Sequence, residues 1–267
     1  MGLRDHPHAP QGTTELNPLY VFTRQVSTHA PKSLLVSSLI SDESRFHRVA
    51  LAALVAIPVL FNAIALLPEL RCPVPSLNDD AFHYLFVQRA SQALSNGENP
   101  FDHWVPQLEL GFPQFFYYQH LPHLAVVALH RLLLQRVSLL TLFNLVRYLL
   151  MVLLPITVYW SMRRMEFSTS ASAIGAAFSA LLSSNLGFGF DFGSYIWRGS
   201  GMYTQLWAMH LLFIATASLY RFMRRGTGYL AAVLACSALV LSDLLYAYMM
   251  GVTALLIFFV SIEARQR

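Results

Sequence analysis

Hydrophobic positions along the chain fall in blocks of about twenty residues rather than in strict alternation. A helix that crosses a bilayer needs roughly twenty apolar residues, because the hydrocarbon is about 30 Å thick and each helical residue rises about 1.5 Å. The first block, 49–67, reads VALAALVAIPVLFNAIALL. It starts too far along the chain for a cleaved secretory signal and lacks a small-residue cleavage site close behind it, which predicts a signal anchor. Further blocks cover 138–162, 170–186 and 203–223. The last block, 229–262, is too long for one helix and is interrupted at Ser242-Asp243. It predicts a hairpin of two spans, 229–241 and 246–262, with that pair at the tip.

A shorter block, 121–134, carries His123, His130 and Arg131. Counting it as a span would put Arg163 and Arg164, and Arg221, Arg224 and Arg225, opposite the basic amino-terminal segment. Leaving it out puts them all on the side of Arg4, Arg24, Lys32, Arg45, Arg48, Arg265 and Arg267. The positive-inside rule makes that side the cytoplasm. The block is then an amphipathic helix on the outer surface, with a seventh span as the alternative. The expected architecture is an all-α polytopic helix bundle of about six spans with both termini cytoplasmic. A large outer loop covers 68–137 and a second covers 187–202. Residues 1–48, mixed polar with several prolines, are expected to be a mostly flexible cytosolic extension ahead of a membrane domain at 49–267.

Composition agrees with this reading. Of the 267 residues 55% are hydrophobic and only 12% charged, where an ordinary soluble domain has roughly a quarter charged. A net charge of +4 without a basic block excludes nucleic acid as a partner and leaves the lipid bilayer. Cys72 and Cys236 fall in such different settings that they give no disulfide framework or zinc site. No internal duplication and no paired broken helices speak for a transporter.

The charges that break the sorting carry the candidate chemistry. Asp79 and Asp80 follow the first span, with His83 at i+4 and i+3, so a helix would place the three on one face. Such a trio suits a general base or a divalent cation. The structural alternative is a cap, with Asn78 or Asp79 starting a helix that runs through Ala93 and stops at Asn96-Gly97. Arg147 lies about ten residues inside the second span, where a charge is costly and marks a cavity or a partner. Its fork of donors fits a phosphate; otherwise it pairs with Asp191, Asp243 or a carbonyl. The stretch from Trp104 through Tyr117 to His123 is dense in aromatics, as suits a chain at the headgroup level. The loop 187–202 sets five glycines around Asp191, Trp197 and Arg198, a pattern that suits sugars and flat groups held on aromatic faces.

An acidic pair just after the first span, the motif GFPQFFYYQHLPH closing a long outer loop, an amphipathic outer helix, a span ending at Arg163-Arg164 and a second acidic outer loop together resemble the GT-C superfamily of polytopic glycosyltransferases. More closely, the chain is similar to bacterial membrane proteins labelled 6-pyruvoyl-tetrahydropterin-synthase-related, although no metal-binding histidine set supports pterin chemistry. The resemblance covers about 49–262. It implies an amino-terminal GT-C-like module that transfers a sugar from a polyprenyl-phosphate donor to an acceptor on the outer face. The catalytic base would be Asp79 or Asp80, with Asp79 slightly preferred. Asp191 would help hold a divalent cation, magnesium or manganese, with Asp79 as its partner ligand. His83, Arg147, Trp104, Tyr117, Trp197 and Arg198 would line the substrate. Relatives carry Ser-His at the hairpin tip where this chain has Ser242-Asp243, and they commonly have ten or more spans. The expectation is therefore a fragment of a longer enzyme, and the alternative is a non-catalytic protein that binds a lipid-linked glycan or a protein partner.

Overall fold

The computed structural model describes residues 32–71, 79–106, 110–179 and 203–266. Of the described residues 81% are helical and 2% lie in strands, so the all-α class fits. The chain divides at Ser44. Of the part before that point, Lys32–Ser44 form the first turns of α1 (Lys32–Ala65). The helix therefore starts well upstream of the apolar block, inside a stretch expected to be flexible, because no glycine or proline interrupts 32–57.

The remaining part is a bundle. Three of its helices are long and apolar enough to cross a membrane: the 21 residues Arg45–Ala65 of α1, the 26 of α5 (Leu139–Arg164) and the 23 of α7 (Tyr203–Arg225). Helices α4 (Leu121–Leu132), α6 (Thr169–Ser179) and α8 (Tyr229–Val240) are shorter, and α9 (Leu244–Gln266) has its apolar run at Leu244–Phe259. At 12 residues each, α4 and α8 span about 18 Å, short of the hydrocarbon thickness by helix length alone. The expected span 170–186 coincides with α6 as far as Ser179, and its remainder lies outside the described residues. The predicted break at Ser242-Asp243 falls between α8 and α9. There Asp243 Oδ1 accepts the backbone N–H groups of Leu245 and Tyr246, as an N-cap does.

The bundle turns large apolar side chains outward, among them Ile57, Phe61, Ile64, Leu153, Ile156, Leu255 and Phe259, and buries small ones between helices. In lipid no hydrophobic force drives helices together, so close backbone approach does the packing. Helix α6 presents Ser172, Ala173, Ala176 and Ser179 as its buried face, and a Cβ at Gly175 would run into the Met162 thioether of α5. Ala208 and Ala215 of α7 share a cluster with Ala235 of α8.

One polar contact inside the bundle traces to Pro155. A proline in a helix has no N–H for the carbonyl four residues earlier, here that of Met151. Asn62 of α1 donates its Nδ2 to that oxygen at 3.3 Å, and Tyr148 donates to the Ala63 carbonyl at 2.8 Å. These two bonds fasten the far end of α1 to α5. Nearby, His210 of α7 donates from Nε2 to the Leu150 carbonyl at 2.6 Å. Its Nδ1 is then the acceptor for the Thr157 hydroxyl at 2.7 Å.

Helix directions group the arginines. Glu166, just after α5, pairs with Arg225 at the end of α7 at 2.6 Å, so Arg163, Arg164, Arg224 and Arg225 share one end of the bundle. Ser138 opens α5 at the other end, accepting the Thr141 N–H at 3.1 Å.

Candidate polar site opposite the arginine-rich end

The opposite end is built from α2 (Asp79–Ser95), α4 and the first turns of α5, α7 and α9. Helix α2 ends at Ser95, two residues past Ala93 and just before Asn96-Gly97, as its sequence predicts. Gly97 takes φ +75°, and Glu98 N–H reaches back to the Ala93 carbonyl at 2.8 Å, closing a Schellman motif. Arg89 binds Glu98 and the Trp104 carbonyl, holding the next segment against the helix. That hydrogen bond keeps the Glu98 carboxyl below the usual range, helped by Asn96.

Asp79 and Asp80 begin α2 but face different surroundings. Asp79 is exposed. Asp80 is 2% exposed, and its Oδ2 lies 3.0 Å from Nη1 of Arg147, itself 3% exposed. Two residues singled out separately in the sequence are thus each other's partners, and Arg147 is held by a carboxylate that sequence spacing could not indicate. The guanidinium also sits over the Phe143 ring, 6.0 Å from its centroid. Tyr203, fully buried, packs tilted against Phe143, ring centroids 4.8 Å apart, and donates to the Pro122 carbonyl at 3.1 Å.

His83 turns to α4 rather than completing a trio with the carboxylates. Its Nδ1 lies 3.0 Å from Nε2 of His123. The Nδ1 of His123 faces the Gln119 carbonyl at 3.2 Å and therefore carries the proton. In the neutral pair Nε2 of His123 is then the acceptor and Nδ1 of His83 the donor. Burial pushes the His83 imidazole down to about 4 and holds His123 well below its ordinary value, with the neighbouring His83 adding to the effect. Tyr118 packs on both rings, at 5.8 Å and 5.9 Å. It is hydrogen-bonded to Thr204, whose hydroxyl donates to Asp243 Oδ2 at 3.2 Å. Burial, together with the charges of Asp243 and Asp79, raises the Tyr118 hydroxyl. The hairpin tip is bonded to the same end, as Leu121 N–H donates to the Leu241 carbonyl at 3.1 Å.

The aromatic loop contains an antiparallel pair absent from the sequence reading, β1 (Trp104–Val105) with β2 (Phe112–Pro113), followed by the single turn α3 (Gln114–Tyr117). Gly111, at φ +112°, lies so close to the Trp104 indole that a Cβ there would overlap it. His103 joins the Pro100 carbonyl and the Gln114 side chain beneath this pair. Trp104 (52% exposed) and Tyr117 (68%) remain outward with Phe82, Phe101 and Phe116.

Asp191, Trp197, Arg198 and the whole loop 187–202 lie outside the described residues. Among the described residues no three His, Cys, Asp or Glu side chains come together as a metal site, so the donors expected for a divalent cation are represented by Asp79 alone. His120 packs on Phe101 and Phe115.

An all-α chain with three helices long enough to cross a bilayer and apolar side chains turned outward is a helical membrane protein. Compared with protein-family models, with curated proteins and with solved structures, it has no significant match.

Proposed function

We propose that this is a glycosyltransferase-like membrane protein that moves a sugar from a polyprenyl-phosphate donor to an acceptor on the extracytoplasmic face. In this reading six helices cross the membrane, the arginine-rich end is cytoplasmic and both termini lie there. The observation that carries it is the division of labour at the start of α2: Asp80 is locked to Arg147, while Asp79 is exposed on the adjacent position. A carboxylate that is ion-paired and sealed from water is a poor base, whereas an exposed one on a rigid helix start can take the acceptor hydroxyl's proton as that oxygen attacks the anomeric carbon. Asp80 and Arg147 then act by holding α2 against α5. The charge growing on the departing phosphate falls to Arg198, and a magnesium or manganese ion shared by Asp79 and Asp191 belongs to the same reading.

The test is sugar transfer by membranes containing the full chain, supplied with polyprenyl-phosphate-linked sugars and read as released polyprenyl phosphate. Asp79→Asn is expected to lower the rate about 10²–10⁴-fold, the usual contribution of general-base assistance. An unchanged rate overturns the assignment. The exposed Trp104 and Tyr117 favour a second reading, non-catalytic binding of a lipid-linked glycan or a protein partner. It predicts binding that survives Asp79→Asn and is lost on Trp104→Ala with Tyr117→Ala.

A further inference from the structure

The hydrogen bonds through the histidine pair run in one direction. The Gln119 carbonyl takes the Nδ1 proton of His123, the bare Nε2 of His123 takes the Nδ1 proton of His83, and Nε2 of His83 is left as an unprotonated lone pair. Burial keeps both rings neutral near pH 7, so this tautomer persists. Among the described residues that last nitrogen has no hydrogen-bond partner, and it is not among the partnerless side-chain atoms sealed from the surface. It is open to a ligand, and a lone pair accepts a hydroxyl where it would repel a phosphate. His83 stands one helical turn from the exposed Asp79 on the same side of α2. Tyr118 borders both, its ring 5.8 Å from that of His83 and its hydroxyl within the field of the Asp79 charge.

We propose that His83 selects the acceptor: its Nε2 takes the hydroxyl beside the one that reacts, so the acceptor is a sugar with two adjacent hydroxyls. The inference rests on the transferase reading above. Side chains four apart on a helix stand about 5–6 Å apart at Cβ, and with hydrogen bonds of about 2.8 Å two neighbouring hydroxyls of one ring reach both. The reacting hydroxyl gives its proton to Asp79 while its oxygen bonds the anomeric carbon and the bond from that carbon to the phosphate breaks, releasing polyprenyl phosphate. The neighbouring hydroxyl keeps its proton and donates it to Nε2 as a hydrogen bond. A lipid alcohol, or a serine or threonine side chain, has no second hydroxyl to offer. His123, fully buried, is a positioning residue that holds the proton on Nδ1 of His83.

The experiment supplies membranes containing the full chain with polyprenyl-phosphate-linked sugars as donors and with octyl glucoside, octyl mannoside, the monodeoxy forms of each, or octanol as acceptors. The wild type is expected to use an octyl glycoside and to lose about fivefold in kcat/KM on the form that lacks the neighbouring hydroxyl, the effect of one hydrogen bond. His83→Asn, which keeps a donor toward His123 but lacks Nε2, should raise KM for the intact glycoside about fivefold with kcat kept, and lose nothing further on that monodeoxy form. His123→Gln, which still accepts the Nδ1 proton, should behave as the wild type, whereas His123→Leu, which frees the tautomer, should match His83→Asn. Nitrogen NMR of isotope-labelled histidines in micelles reads the tautomer without substrate, with His83 Nε2 expected bare in the wild type and in His123→Gln. Octanol used as well as the glycosides, a KM unchanged by His83→Asn, or a protonated Nε2 overturns the proposal while the role of Asp79 stands. No transfer to any acceptor overturns the transferase reading, and this proposal with it.

Discussion

Asp80 of α2 and Arg147 of α5 form an ion pair at 3.0 Å with side chains 2% and 4% exposed. Taking two charges out of water costs several kcal/mol each, and removing one partner strands the other. Asp80→Asn is therefore expected to destabilise the fold by about 3–5 kcal/mol, measured by thermal unfolding in detergent micelles. The double change Asp80→Leu with Arg147→Met should recover most of that loss, since apolar pairs of similar volume often replace buried ion pairs without cost. Failure of the double variant to recover would show that the pair does more than neutralise itself.

Stability should fall as the pH is lowered below about 6.5. Above that value His83 and His123 are neutral in both the folded and the unfolded chain. Between 6.5 and about 4 the unfolded chain takes up protons that the folded His83 refuses, and His123, also held below its ordinary value by burial, adds to the decline. Each such histidine contributes a slope of up to about 1.4 kcal/mol per pH unit. Unfolding followed from pH 7.5 to pH 4.5 should give a steeper decline for the wild type than for His83→Phe combined with His123→Leu.

Pro155 and Asn62 should be coupled. Asn62→Ala leaves the Met151 carbonyl without its donor and is expected to cost about 1 kcal/mol. In a Pro155→Ala background the helix supplies its own N–H to that oxygen, so the same change should cost measurably less. A double-mutant cycle on thermal unfolding reads the difference; a strictly additive result would separate the two residues.

The orientation of the bundle is open to labelling in a Cys72→Ala background. A cysteine at Glu98, beside α2, should react with an impermeant thiol reagent added outside intact cells. One at Glu166, at the arginine-rich end, should react only after the membrane is opened. The reverse pattern would invert the assignment of the two faces.

Much of the architecture is legible in the linear pattern. The long apolar blocks become α1, α5 and α7, the interruption at Ser242-Asp243 becomes the α8–α9 turn, and α2 ends at Asn96-Gly97. These features depend on residues near one another in the chain: run length against bilayer thickness, a glycine able to take positive φ, a carboxylate capping the next turn. The candidate residues were also visible, because charges are scarce and costly among so many apolar positions. Their pairing was not. Asp80 meets Arg147 across 67 positions, His83 meets His123 across 40, and Asn62 meets the carbonyl freed by Pro155 across 89. Such contacts are chosen by helix packing, since a buried charge or an orphaned carbonyl takes whichever partner the bundle brings within 3 Å, however distant in sequence. Sequence determined which groups needed partners; tertiary structure decided which partners they found, and so left Asp79 exposed beside the locked Asp80.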